Sequence, residues 1–558
     1  MESLSSASLP SDFFLYRIIS YAFWSILSIS RKEFPMRLTN YPKVVARGFS
    51  LFMLLASLAI LSPLSAQDVE KITLKLKEPQ TPIVQASQGE ERATLLQKFD
   101  VDVIPSSIVA TVSEPKYLSR LEARLNGKVV ASFDAAGVFD SDSNRPTNPT
   151  QIPLFIESDS NAGGELSIWG FPSKNAAPDV KIDFGIQSVS FEEKKIYCQD
   201  APLEYRFATL VRDSGWDNVA QYRIPGIVKT PKGTLVAVYD ARWRGFPDLP
   251  ADIDVMCSRS FDNGKTWTEM KPVVDFDGED PAKEGAGDPS ILVDPANGRL
   301  WVAALWAHEG KGLWNSEPGL KSGSSPRLVL AYSDDEGETW SEPLDITNEA
   351  APNKDWKLVF QGPGNGIVLR DGTLVFPAQF IDSQGVFYST LLWSQDHGET
   401  WNVGQGAHPK TCEAQVVQLK DDSLMLNMRH LSDKFRAVAV TRDLGETWQE
   451  HSTSGNTLIE PVCQGSLLLL KSTADGDDSD LLAFANPKSQ KGRVNLTVRL
   501  SEDEGKTWTH ELPIYCPGSL GYSCLVKMDE ENLGIFYETS GGLLFQQIGV
   551  EDIPRVAE

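Results

Sequence analysis

The chain has 558 residues, more than one ordinary domain holds, and 41% of them are hydrophobic, enough for sizeable cores. Its formal net charge of −24 argues against nucleic acid or an anionic membrane as a partner. An anionic ligand would need a local cluster of cations.

From the N-terminus, Lys43 and Arg47 precede an apolar run, Phe49 to Leu64, that ends in LSPLSA before Gln67. A basic region, a hydrophobic region and an S-x-A site predict a secretory signal peptide cleaved after Ala66. The expected location is secreted or periplasmic, with no membrane insertion after cleavage; a retained anchor is the alternative. Met36 is a second candidate start. Residues 1–66 are therefore extension and signal rather than fold.

Residues 67–200 alternate apolar and polar over short strands, as in DVKIDFGIQSVSFEE (Asp179–Glu193), around a polar loop at Asp140–Thr150. This predicts a separate β-sandwich domain, either structural or carbohydrate-binding.

Residues 201–558 carry a repeated octet, Ser/Thr-x-Asp-x-Gly-x-Thr-Trp: Ser260–Trp267, Ser333–Trp340, Ser394–Trp401, Thr441–Trp448 and Ser501–Trp508. The Asp can accept from the turn's own backbone, the Gly can supply φ > 0, and the Trp can pack between sheets. One or two carboxylates per loop is thin ligation for calcium, so no cofactor is expected. The six cysteines (Cys198, Cys257, Cys412, Cys463, Cys516, Cys524) have no metal spacing. Export would permit disulfides, with the pairing open.

Between the octets lie hairpins around TPKGT, DPANGR, RDGT, KDDS, KSTADGDDSD and MDEEN. Six hairpins, five of them followed by a strand, an octet and a further strand, predict an all-β, six-bladed β-propeller preceded by the sandwich. The last unit lacks an octet, and residues 204–211 could supply its outer strand.

Residues equidistant from a turn lie side by side across an antiparallel pair. Such counting sets Arg223 opposite Arg242, Asp288 opposite Trp306, Glu413 opposite Arg429, and Tyr522 opposite Glu538. All eight fall at the open ends, away from the turns, on the face opposite the octets. Segments following second strands on that face add Asp248 and Arg493. Several arginines converging in an acidic protein suit a carboxylate, sulfate or phosphate.

At this point the residues resemble a family. YRIP (Tyr222–Pro225), the five octets, DARWRGFPDLPADID (240–254), GDPS (287–290), GPGNG (362–366), CEAQVVQL (412–419), NMR (427–429) and GYSCL (521–525) are similar to motifs of the exo-α-sialidases. The resemblance implies hydrolysis of terminal sialic acids on glycans by a cofactor-free monomer. It implies a carboxylate-gripping triad of Arg223, Arg429 and Arg493, with Arg499 the alternative for the third. It further implies Asp248 as general acid/base, Tyr522 as nucleophile, Glu413 as its base and Glu538 as anchor of the first arginine. Arg242 would contact substrate, and Asp288 with Trp306 would wall the N-acetyl group. A neutral phenol avoids setting a carboxylate nucleophile against the substrate's own carboxylate, a repulsion of about 4 kcal/mol at an effective dielectric of 20. Nearby arginines are expected to favour its phenolate. The alternatives are a trans-sialidase, transferring to a sugar or forming an anhydro product, and a non-catalytic glycan-binding propeller.

Overall fold

In the computed structural model the residues described are 82–86, 92–134, 150–158, 163–192, 194–198, 200–276, 283–514 and 521–556. The signal segment and Cys516 lie outside them. Among the described residues the architecture is overwhelmingly β, as the composition and turn spacing predict, and no helix is long and apolar enough to cross a membrane. The other five cysteines are free thiols.

The N-terminal part forms two sheets. One orders Thr94–Val101, Gly164–Pro172, Leu118–Leu125 and Lys128–Asp134. The other centres on Lys181–Phe191, flanked by Ser107–Val112 and Leu203–Arg212. Alternation of buried and partly exposed residues along Ser107–Val112 reflects one core face and one outer face. The strand Leu203–Arg212 serves two neighbours. Its first half pairs with Lys181–Phe184, and its second half with Leu543–Phe545 near the C-terminus. The 204–211 segment thus closes the last sheet of the propeller, as its sequence suggested.

From Gln221 onward, antiparallel sheets follow one another, six among the described residues. The first is Gln221–Lys229, Leu235–Arg242, Ile253–Ser260 and Lys271–Val274. Its inner strand packs against Gly285–Val293 of the second sheet and Ser523–Lys527 of the last, so the succession closes on itself. Inner and central strands are buried on both faces, which explains their near-continuous apolar runs.

The cores lie between successive sheets, and the octet tryptophans join them. Trp267 packs with Phe536 and Phe545 of the last sheet, Trp340 with the first and second sheets, and Trp401 with Trp301 and Phe376. Trp448 and Trp508 do the same further round. Burying an indole of about 150–250 Å² at roughly 25 cal/mol per Å² contributes about 4–6 kcal/mol of transfer free energy.

Each octet is a closed hydrogen-bond loop. In the first, Asp262 Oδ1 accepts from the Thr266 N–H at 2.8 Å and Oδ2 from the Thr266 hydroxyl at 2.6 Å. The Ser260 hydroxyl accepts from the Gly264 N–H at 2.8 Å, and Gly264 stands at φ 87°. The carboxylate oxygens are occupied by the loop itself, which is the structural role the motif predicts. Ser260 pairs with Leu235 at the hairpin-turn end, whereas Arg242 pairs with Ile253 at the other. The octets and the charged residues therefore sit at opposite strand ends.

Two predicted pairings are corrected. Gln221, not Arg223, faces Arg242, and Arg223 faces Asp240. Ala286, not Asp288, faces Trp306. A bulge between Arg223 and Gly226, and another between Gly287 and Ser290, adds a residue to each inner strand and shifts the register beyond it. The third unit also departs from a simple hairpin: Gly364–Asn365 leaves its own sheet to pair in parallel with Ser290–Ile291.

Candidate active site

The bulges set the site. Ile224 stands at φ 57° and Asp288 at φ 56°, a region a β-branched residue in particular avoids. Each is held there by a buried carboxylate. Glu538 Oε1 accepts the Ile224 N–H at 3.0 Å, and Asp240 Oδ1 accepts the Asp288 N–H at 2.9 Å.

Glu538 has no exposed surface and holds three groups at once. Arg223 donates through Nε at 3.0 Å to Oε1 and through Nη2 at 3.4 Å to Oε2, and the Tyr522 N–H reaches Oε2 at 3.1 Å. One carboxylate on the last sheet thus aims the arginine of the first sheet and fixes the backbone of the predicted nucleophile. The sequence pairing of Tyr522 with Glu538 is met: the Glu538 N–H donates to the Tyr522 carbonyl at 3.1 Å.

Tyr522 is where the arginines meet. The Arg223 and Arg493 guanidinium carbons lie 5.2 and 5.4 Å from its ring centroid. Arg429 Nη1 donates to the phenol oxygen at 3.0 Å and to Glu413 Oε2 at 2.7 Å. The phenol donates to Glu413 Oε1. Buried Arg429 Nε finds no partner among the described residues. Of the two candidates for the third arginine, Arg493 is at the site; Arg499 lies buried against Phe484 and Glu511.

The arginines act on the phenol in the expected direction, and burial outweighs them. Burial, followed by the Glu413 carboxylate, pushes Tyr522 well above its ordinary value of 10.0, and Arg429 and Arg493 offset this only in part. Burial and Glu413 favour the protonated phenol, the arginines favour its ionisation, and Glu413 stands in place to accept the proton.

The Asp248 side chain is 81% exposed. Arg242 Nη1 donates to its Oδ1 at 2.8 Å, and Arg223 Nη1 lies 3.6 Å from the same oxygen. Arg242 is itself clamped by Asp240 Oδ2, at 3.2 Å from Nε and 2.9 Å from Nη2. The half-buried Asp288 carboxyl is pushed well up by burial first, then by Asp240, Asp248 and Glu413. Trp306 is stacked between Phe276 at 4.2 Å and His308 at 4.6 Å, and its Nε1 donates to Glu284 at 3.2 Å. Both indole faces are occupied, so it can offer a ligand only an edge.

Two supporting groups escaped the sequence reading. Asp240 precedes Arg242 by two residues on one strand, hence on the same face, a spacing that could have exposed it. Fully buried Glu460 pairs with Arg436 at 3.1 Å and accepts the His430 N–H at 2.7 Å, bracing the strand end that carries Arg429. Glu460 lies in an irregular segment, and no pattern marked it.

A family model described as a BNR repeat-like domain matches residues 233–535. A sialidase of Bacteroides fragilis (strain YCH46) is 43% identical over 385 residues, spanning 67% of this chain and 71% of that one. A sialidase of Paraclostridium sordellii is 33% identical over 361 residues, 60% of this chain and 85% of that one. Among solved structures, the Hadza microbial sialidase Hz136 matches with a TM-score of 0.75 at 34% identity, covering 85% of this chain and 99% of that one.

Proposed function

The chain belongs to the bacterial sialidase family, and we propose that it is a retaining exo-α-sialidase releasing terminal sialic acids from sialylated glycans through a Tyr522 nucleophile. The observation that carries this reading is the closed set of Tyr522, Glu413 and Arg429, joined to an exposed Asp248 through Arg223.

In the proposed sequence, Arg223, Arg429 and Arg493 grip the substrate carboxylate, and Arg242 steadies Asp248. Protonated Asp248 donates its proton to the glycosidic oxygen as the bond to the anomeric carbon breaks. The Tyr522 oxygen bonds to that carbon while its proton passes to Glu413. Asp248, now a carboxylate, takes a proton from water; the water oxygen attacks the same carbon, and the departing phenolate recovers its proton from Glu413. Two displacements retain configuration, and a Tyr nucleophile is a known exception to the two-carboxylate rule for glycosidases. No step requires a metal.

NMR of the first product tests this. α-Sialic acid as the first anomer supports retention and hydrolysis. The β-anomer would overturn the double displacement. A transferred glycoside or an anhydro sugar would replace hydrolysis by transfer.

A further inference from the structure

The segment His308–Pro326, between the strands Leu300–Ala307 and Arg327–Ser333, opens on the active-site face and carries an unexplained indole. Trp314 is 85% exposed, the most exposed large hydrophobic side chain described. Its ring lies 5.7 Å from that of Phe387, which begins a strand of the third sheet. Exposing an indole this far is unusual unless it meets something.

Its surroundings tie it to the general acid. Leu249, next in the chain to Asp248, packs with Leu313 and Phe387 onto the cluster of Leu305, Leu358, Phe360 and Ile381. Gly312 abuts the same loop: a Cβ there would lie 2.8 Å from Pro250 Cδ and 2.9 Å from the Leu249 carbonyl. The segment is also pinned. Asn315 Oδ1 accepts the Gly312 N–H at 2.7 Å, the Ser316 hydroxyl donates to the Gly312 carbonyl at 2.6 Å, and Arg327 Nη1 donates to the Leu320 carbonyl at 2.7 Å. These bonds fix the backbone on either side of Trp314.

We infer that Trp314, with Phe387 behind it, is the platform for the first sugar of the leaving group, a neutral hexopyranose. This rests on the hydrolase reading above. Arg242 and Arg223 both reach Asp248 Oδ1, and the proposed reading seats the sialic acid on that inner side. The acid must touch the glycosidic oxygen, so the leaving sugar departs on its outer side, toward Leu249 and Trp314. A pyranose presents a face of C–H bonds, and a rigid indole matches it at small entropic cost. The charged neighbours Lys311 and Glu317 pair with each other at 2.7 Å, leaving no net charge to select an ionic group.

The experiment compares kcat/KM on sialyllactose with kcat/KM on α-sialosyl fluoride, whose leaving group is a bare ion. For Trp314→Ala the ratio of the two should fall roughly ten-fold, and for Trp314→Phe by only about two-fold. An unchanged ratio in Trp314→Ala, or an equal fall on both substrates, overturns the platform. Wild-type protein that turns over neither substrate overturns the hydrolase reading itself, and the platform with it.

Discussion

The Tyr522 phenol donates to Glu413 Oε1 while Arg429 Nη1 bridges both, 3.0 Å from the phenol oxygen and 2.7 Å from Glu413 Oε2. The hydrogen bond along which the proposed mechanism moves the proton is thus already in place, and burial favours keeping the proton on the phenol. Removing the base should strand the phenol. Glu413→Gln should lower kcat by about 10²–10⁴-fold, the usual span for a positioned proton acceptor, with a much smaller change in KM. A kcat within about three-fold of wild type would remove Glu413 from this role.

Arg223 uses Nε and Nη2 on Glu538, which leaves Nη1 directed to the acid side of the site. Lysine cannot span both partners. Arg223→Lys should raise KM by roughly ten-fold or more, measured on an aryl sialoside. An unchanged KM would take Arg223 out of the carboxylate clamp.

Glu538 answers for fold as well as site, since it accepts from Arg223 and from two backbone N–H groups in a buried place. Glu538→Gln keeps the shape but leaves the arginine without its counter-charge. Breaking one side of a buried pair costs about 3–5 kcal/mol, so urea unfolding should show a loss of that order. A loss below about 1 kcal/mol would mean that Arg223 re-pairs, with Asp248 the nearest substitute.

The Asp240 and Asp443 carboxyls are shifted in opposite directions, so their losses on acidification fall in different pH ranges. Burial raises the Asp240 carboxyl to about 6, although Arg242 opposes this. As pH falls through that value the group takes a proton and loosens its grip on Arg242. KM should rise on the acid side of pH 6, and Asp240→Asn should show a raised KM that no longer varies there. A KM profile identical to wild type would free Arg242 from any dependence on Asp240.

Asp443 in the fourth octet is drawn down from 3.8 to about 2 by hydrogen bonds from the Thr447 hydroxyl and N–H and from Thr441. Its folded value is depressed, so the stability it contributes is fully present above 3.8 and lost as pH falls toward 2. The acid loss in melting temperature should be shallower in Asp443→Asn than in wild type. Parallel curves would show that the octet carboxylate does not stabilise by its charge.

What the sequence revealed follows from what a pattern can encode. The octet, with five copies, announces both the turn and the inter-sheet tryptophan, and the structure realises both. Tyr522 with Glu538 could be paired by counting because the register is regular out from their turn. Glu413 falls within a bulge between Thr411 and Ala414, and it meets Arg429 through an ion pair. Arg223 and Asp288 could not be paired by counting, because a bulge intervenes. These inner strands are buried on both faces, so an inserted residue breaks no apolar–polar alternation and leaves no mark. Asp240, Glu460 and Trp314 were missed as well. Glu460 and Trp314 matter through contacts across sheets or loops that no hairpin symmetry connects, whereas Asp240 lies opposite Arg223 only in the register that the bulge creates.

The central claim is that Tyr522 bonds to the anomeric carbon. A sialic acid bearing fluorine at the carbon next to it slows departure from the enzyme by destabilising the positive charge that develops there. After incubation with such a fluoride, mass spectrometry of proteolytic fragments should find one sialyl group, on the peptide containing Tyr522, and none in Tyr522→Phe. A sialyl group on Glu413, Asp248 or any other side chain, or turnover of the reagent by Tyr522→Phe at the wild-type rate, would contradict the account.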